Sequence, residues 1–231
     1  QLVEIVFTVG GYTMTGLAIN SFGIQTEPGY PAFPRSRQKG ASSRQASVGG
    51  WTTWGGDAGF TRYSPLDQIN KDNVGKLEVV WRWKSLPQGP RPDGNLKATP
   101  LMIDGVLYTP TGVNQAAAID PATGKTLWVF TPSPAEVGGG RPLMLSSRGL
   151  AYWTDGVRKR LFHNTLDGRL LSIDAKTGRA DSSFGRNGTV NLRERLAEGR
   201  PVPILGSSSP PTVVGNVVIA QAVSEATSPN K

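Results

Sequence analysis

Short apolar runs alternate with breaks of Gly, Asp and Pro along most of this chain. Residues 99–103 and 106–110 flank Asp104-Gly105, the kind of dipeptide that closes a tight hairpin. Residues 115–119 and 126–130 flank a turn in which Asp120 can cap and Gly124 can take a positive φ. The runs are too short for helices and rich in β-branched and aromatic residues, so they predict strands. A second set follows at 149–154, 160–164 and 169–173, with a degraded fourth strand, and a third begins with 211–214 and 217–221. Leu77 to Trp83 predicts one further strand, and Arg193 to Leu196 a short helix.

The stretch Ala118 to Trp128 organises these runs. It has an approximate copy at Ser172 to Ser182, where the Trp position is lost, and a looser copy at Asp72 to Trp81. Gly75, Gly124 and Gly178 mark the repeat, 49 and then 54 residues apart. Trp128, which ends the motif, needs a deep apolar seat. Repeats of this length built from short strands predict propeller blades rather than one closed sandwich. The expected fold is all-β, a partial β-propeller of about three four-stranded antiparallel blades. Three blades cannot close a ring, and the third unit stops before its own turn motif, so the chain reads as the N-terminal part of a longer protein.

The flanks and the composition refine this picture. Residues 1–24 form an apolar segment carrying Glu4, either the remnant of an export signal or an ordinary N-terminal strand pair. Residues 25–50 are rich in Pro, Gly, Ser and Arg and read as a flexible linker, which places the propeller at 51–231. No run is long and pure enough to read as a transmembrane helix. Counts of 29 Gly and 18 Pro fit a strand-and-turn fold. The net charge of +8 is scattered, without a basic face or aromatic interleaving, which argues against nucleic acid and is compatible with an anionic ligand. Without cysteine there is no disulfide and no thiolate metal site. The sole histidine, His163, reads as a strand residue, having no acid or nucleophile beside it in sequence. Gly138-Gly139-Gly140 lacks the lysine and helix start of a phosphate loop.

Several motifs together resemble the PQQ-dependent (quinoprotein) alcohol and glucose dehydrogenases. They are Gly55-Gly56-Asp57 with Thr61-Arg62-Tyr63-Ser64-Pro65-Leu66, and Thr99-Pro100-Leu101 with Val106-Leu107-Tyr108. Ala118 to Trp128, Ser147 to Trp153, Thr165 to Leu170 and Ser208-Ser209-Pro210-Pro211 continue the match. The repeat alone also occurs in non-enzymatic propellers, whereas Thr-Arg-Tyr-Ser-Pro-Leu and Ser-Arg-Gly-Leu-Ala-Tyr-Trp are specific to the enzymes. The resemblance implies an eight-bladed propeller holding PQQ, usually with calcium, near its axis. It implies oxidation of an alcohol or sugar by hydride transfer to the quinone, with electrons passed to a quinone or cytochrome. It also implies work in the periplasm or at the periplasmic face of the inner membrane, with membrane association open.

On the same resemblance, Arg148 stands where an arginine reaches the cofactor, able to pair with a carboxylate in bidentate fashion. Lys97 stands where some relatives carry a glutamate beside PQQ; it either attracts a cofactor carboxylate or is a solvated loop charge. Ser208 stands where a hydroxyl holds a cofactor carboxylate, or is a plain turn hydroxyl. Glu225 has the spacing of a calcium-binding carboxylate, although Ala-Val-Ser-Glu-Ala departs from the Gly-Ala-Glu text of those relatives. The methanol-oxidising branch places a Cys-Cys pair near what is here Pro142-Leu143, so that branch is disfavoured. The catalytic base, a further calcium ligand and the tryptophan under the ring belong to later blades, so the polypeptide alone is expected to be inactive. The competing expectation is a non-catalytic propeller that binds partner proteins through its faces.

Overall fold

The computed structural model describes residues 4–9, 50–57, 59–84, 97–112, 114–133, 147–165, 167–192 and 205–224. The proposed linker (except Gly50), the helix at Arg193 to Leu196, and Glu225 lie outside the described residues.

Blade 1 is the meander β2 (Leu101–Ile103), β3 (Val106–Pro110), β4 (Ala116–Ile119) and β5 (Thr126–Phe130); β1 (Glu4–Val9) precedes it. Asp104 at φ 50 and Gly105 at φ 77 make the mirror-image two-residue turn that matches strand twist, as the dipeptide predicts. One row of paired residues crosses the whole blade, from Leu101 through Tyr108 and Ala118 to Trp128. Blade 2 repeats the plan with β6 (Ala151–Thr154), β7 (Lys159–Asn164), β8 (Arg169–Asp174) and β9 (Thr189–Asn191). The third unit has β10 (Leu205–Gly206), β11 (Thr212–Val214) and β12 (Val217–Ser224), with β10 and β11 antiparallel to β12. β1 lies parallel to β12, pairing Glu4 with Val217 and Val9 with Ala222.

The sheets pack face to face. Leu101, Tyr108, Leu150, Leu161 and Ile173 fill the space between blades 1 and 2. Trp153, Phe162, Leu170, Val218 and Ala220 fill the space between blade 2 and the third unit. β7 is thus buried on both faces, Leu161 turning to one neighbour and Phe162 to the other, as the two-residue period of a strand requires. Ala116, Ala117 and Ala118 are wholly buried, small residues that let two sheets approach closely.

Trp128 has a different seat from the one the sequence suggests. It is half-buried, and its ring lies on the next repeat's turn, where a Cβ on Gly178 would sit 2.5 Å from the indole. Its Nε1 donates to the Ala175 carbonyl at 3.1 Å. Trp81 does the same one repeat earlier, over Gly124 and donating to the Pro121 carbonyl at 2.9 Å. The repeated Trp and the repeated Gly are therefore the two halves of one clamp between successive units. Where the Trp is lost, another device joins blade 2 to the third unit. Trp153 Nε1 donates to Asn216 Oδ1 at 3.3 Å, and Arg160 covers the ring at 5.2 Å while pairing with Asp181 at 2.6 Å.

The expected strand Leu77 to Trp83 is a correction. The segment is extended but has no ladder partner among the described residues, and Val79 and Val80 are 67% and 85% exposed. Its indoles hold it instead: Trp81 as above, and Trp83 by donating from Nε1 to Thr126 Oγ1 at 2.9 Å. An apolar run becomes a strand only beside a neighbour that can take its backbone hydrogen bonds.

Candidate cofactor site

Strand direction alternates within each blade, so one end of the blades collects the lead-ins to the first strands and the loops between second and third strands. The other end collects the tight turns. Residues 97–100, 111–112, 114–115, 147–150, 165, 167–168 and 207–211 share the first, or loop, end.

At that end the first strands are tied into a row. The Thr99 N–H donates to the Arg148 carbonyl at 2.8 Å, and the Arg148 N–H donates to the Ser208 carbonyl at 2.7 Å. These two bonds bring Arg148 and Ser208 together and set Lys97 two residues away along the chain. Arg148 and Lys97 are exposed and Ser208 is half-buried. None of the three side chains has a hydrogen bond or ion pair among the described residues. Their supports are fully engaged. The buried Ser147 hydroxyl donates to the Gly149 carbonyl at 3.0 Å, and Ser207 Oγ accepts the Ser209 N–H at 3.1 Å. Gly149 is glycine because Trp54 lies against it; a Cβ there would be 2.8 Å from the indole Cδ1.

Trp54 belongs to the Gly-Gly-Asp…Thr-Arg-Tyr stretch, whose roles here are structural. Trp51 exchanges two backbone hydrogen bonds with Met102, so this stretch runs beside the first strand of blade 1. Asp57 accepts the Thr61 N–H at 3.1 Å, and Arg62 covers the Trp54 ring at 5.2 Å. Hydrogen bonds from Thr61 hold the Asp57 carboxyl below the usual range. A cleft of about 370 Å³ is lined by Trp54, Phe60, Leu150, Tyr152, Ser209 and Pro211, among others.

Four residues of this end had no site role assigned from sequence: Asn114, Asn164, Thr165, which appeared only within a family motif, and His163, which was read as a strand residue. Of the buried polar residues, Thr111, Ser147, His163, Asn164, Thr165 and Ser207 all lie here. Asn164 Nδ2 donates to the Ser209 carbonyl at 3.2 Å. Thr165 donates to Asp167, which is clasped by Arg169 at 2.9 and 2.6 Å. His163 is wholly buried, Nε2 lies 3.1 Å from the Asn114 carbonyl oxygen, and burial lowers its pKa to about 4. The available signal was His163-Asn164-Thr165, three polar residues directly after the apolar pair Leu161-Phe162. Asn114 Oδ1, His163 Nδ1, Asn164 Oδ1 and Trp54 Nε1 are all buried without a hydrogen-bond partner. Buried polar atoms left unpaired are costly, and their concentration marks a site rather than a plain core.

Among the described residues no three His, Cys, Asp or Glu side chains come together as a metal site.

Residues 51–231 match the PQQ family described as glucose/ethanol/alcohol dehydrogenase, β-propeller domain. The chain belongs to this quinoprotein family. It is 37% identical over 166 residues to the dehydrogenase subunit of an alcohol dehydrogenase (quinone) from Gluconacetobacter polyoxogenes, an alignment covering 67% of this chain and 21% of that protein. It is 34% identical to a 1-butanol dehydrogenase (cytochrome c) from Thauera butanivorans, covering 78% of this chain and 23% of that one. The solved quinohemoprotein alcohol dehydrogenase of Comamonas testosteroni superposes with a TM-score of 0.58 at 29% identity, over 74% of this chain and 23% of that chain. The chain thus spans about a fifth to a quarter of the length of these quinoproteins. The all-β propeller expected from the repeat is the fold observed.

Proposed function

We propose that this chain builds one wall of the PQQ site in a dehydrogenase that oxidises an alcohol or a sugar and passes the electrons to a quinone or a cytochrome. The observation that carries the reading is the backbone-bonded row through Thr99, Arg148 and Ser208, which presents donors without partners among the described residues at the loop end of the blades. PQQ, when bound, supplies an electrophilic quinone that accepts hydride from the substrate carbon. Its ring is flat and carries several carboxylates, so the residues around it must be donors. The Arg148 guanidinium grips a carboxylate edge through two parallel N–H groups. Lys97 adds a point charge, and Ser208 a hydroxyl. The net charge of +8 favours capture of such a polyanion. Relatives named for alcohol, 1-butanol and cytochrome c support the substrate class and the acceptor.

The reading includes a calcium ion with Glu225 as a carboxylate ligand, since a hard cation takes oxygen donors. It includes a base contributed by other blades, so that the chain alone binds without turnover. It also includes residence in the periplasm or on the periplasmic face of the inner membrane. Equilibrium titration of the protein with PQQ, read by fluorescence quenching, tests the core of it. The expected result is saturable binding that Arg148→Ala weakens by roughly 10- to 100-fold, the worth of a charge-assisted hydrogen-bond pair. A protein with no saturable binding would instead be a non-catalytic propeller that uses its faces to hold other proteins.

A further inference from the structure

We propose that His163 is a positioning residue for the cofactor rim, holding the turn of blade 1 at Asn114 in place through the Asn114 carbonyl. The proposal rests on the PQQ reading of that rim and adds to it a residue from the face between two blades.

β7 presents its residues alternately to the two neighbouring sheets, and His163, like Leu161, turns toward blade 1. There its Nε2 meets the Asn114 backbone oxygen at 3.1 Å. A carbonyl oxygen only accepts, so Nε2 must carry the proton and donate, and Nδ1 is left as the lone-pair nitrogen. Desolvation at zero exposure keeps the ring neutral, with Asp167 and Arg169 as the nearby charges acting in opposite senses. The tautomer is therefore fixed from one side only, and Nδ1 has no partner.

The loop it holds is unusual in itself. Asn114 sits at φ 61, in the left-handed region, and its Oδ1 is buried without a donor. The loop is closed at its base by the Thr111 N–H, which donates to the Gln115 carbonyl at 2.8 Å. It occupies the same end of the molecule as Arg148 and Ser208. A leucine at 163 would pack against blade 1 as Leu161 does, with no orphaned nitrogen. The histidine instead spends an unpaired buried atom to pin one carbonyl across two blades. Pinning is useful where the loop must stand in one place relative to its neighbours, and this end also carries Arg148 and Ser208.

The test compares His163→Leu, which keeps bulk and removes the donor, with His163→Gln, whose side-chain amide reaches to about the same place as Nε2. Three quantities are read: the PQQ dissociation constant, the hydrogen-exchange rate of the Thr111 amide, and the melting temperature. The expectation for His163→Leu is PQQ binding weaker by roughly 3- to 10-fold, the worth of one hydrogen bond. Thr111 exchange should be faster by a similar factor and the melting temperature unchanged or raised; His163→Gln restores binding and exchange. A purely structural histidine would instead lower melting and binding together. Unchanged Thr111 exchange in the leucine variant overturns the latch, whatever the cofactor does. Faster exchange with an unchanged PQQ dissociation constant overturns the positioning role alone. If the parent protein itself fails to bind PQQ, the functional reading is wrong and the positioning role falls with it, while the exchange result still judges the latch.

Discussion

The two ends of the blades are built from the same strands and differ in how they treat polar groups. At the turn end the aspartates of the blade turns are engaged, Asp104 by Lys159 of the next blade at 2.6 Å and the others within their own turns. Asp120 accepts the Ala122 N–H at 2.8 Å, Asp174 the Thr177 N–H at 2.7 Å, and Asp155 the Arg158 N–H at 2.7 Å. Those bonds hold the Asp120 and Asp155 carboxyls below their ordinary range. The tryptophan clamps close onto the same turns. At the loop end Arg148, Lys97 and Ser208, and four buried polar atoms, have no side-chain partners among the described residues. Both ends carry bonds that hold blades together, and the loop end also gathers buried polar atoms without partners among the described residues. The difference teaches where function resides, because a fold gains nothing from donors and acceptors left open.

The strongest way to break the comparison is at the clamp. Trp128→Ala should cost about 3 kcal/mol of stability, the low end for losing a large aromatic because the ring is only half-buried. Chemical denaturation measures it, and PQQ affinity of the folded fraction should not change. A variant that melts normally but loses the cofactor would put the site at the wrong end.

Acid sharpens the contrast at somewhat smaller cost. His163 has a folded pKa of about 4 against an ordinary 6.5, so below pH 6.5 the unfolded chain binds a proton that the folded chain refuses. Stability should be fully present above that value and fall as pH drops toward 4, by roughly 2 kcal/mol between pH 7 and 5. His163→Leu should flatten this part of the curve, and an unchanged slope in that variant would remove the histidine from the account. The depressed aspartates of the turn end lose their protection only at lower pH still.

A smaller effect is expected at Gly178, whose φ is 69 and whose missing Cβ leaves room for the Trp128 ring. Gly178→Ala should destabilise by about 1–2 kcal/mol, through backbone strain and a displaced indole. Equal stability of the variant would show that the clamp tolerates movement.

How much of this was legible beforehand depended on whether the cause was local. The Asp104-Gly105 hairpin and the strands around it are set by neighbouring residues, and they appear where the dipeptide puts them. Arg148 and Ser208 were placed by motif, and the structure brings them into one row. The seat of Trp128 was misjudged because its partner is Gly178, 50 residues on and in another sheet. The run from Leu77 to Trp83 has a strand's composition but no neighbour to pair with among the described residues. His163 looked ordinary because Asn114, which gives it meaning, comes from the preceding blade.

The central claim, that binding and stability are divided between the two ends, is tested most directly by measuring PQQ affinity and melting temperature together in Arg148→Ala. The account predicts a dissociation constant raised at least about tenfold with the melting temperature of the parent protein. A lowered melting temperature with unaltered affinity would make Arg148 a structural residue and contradict the account.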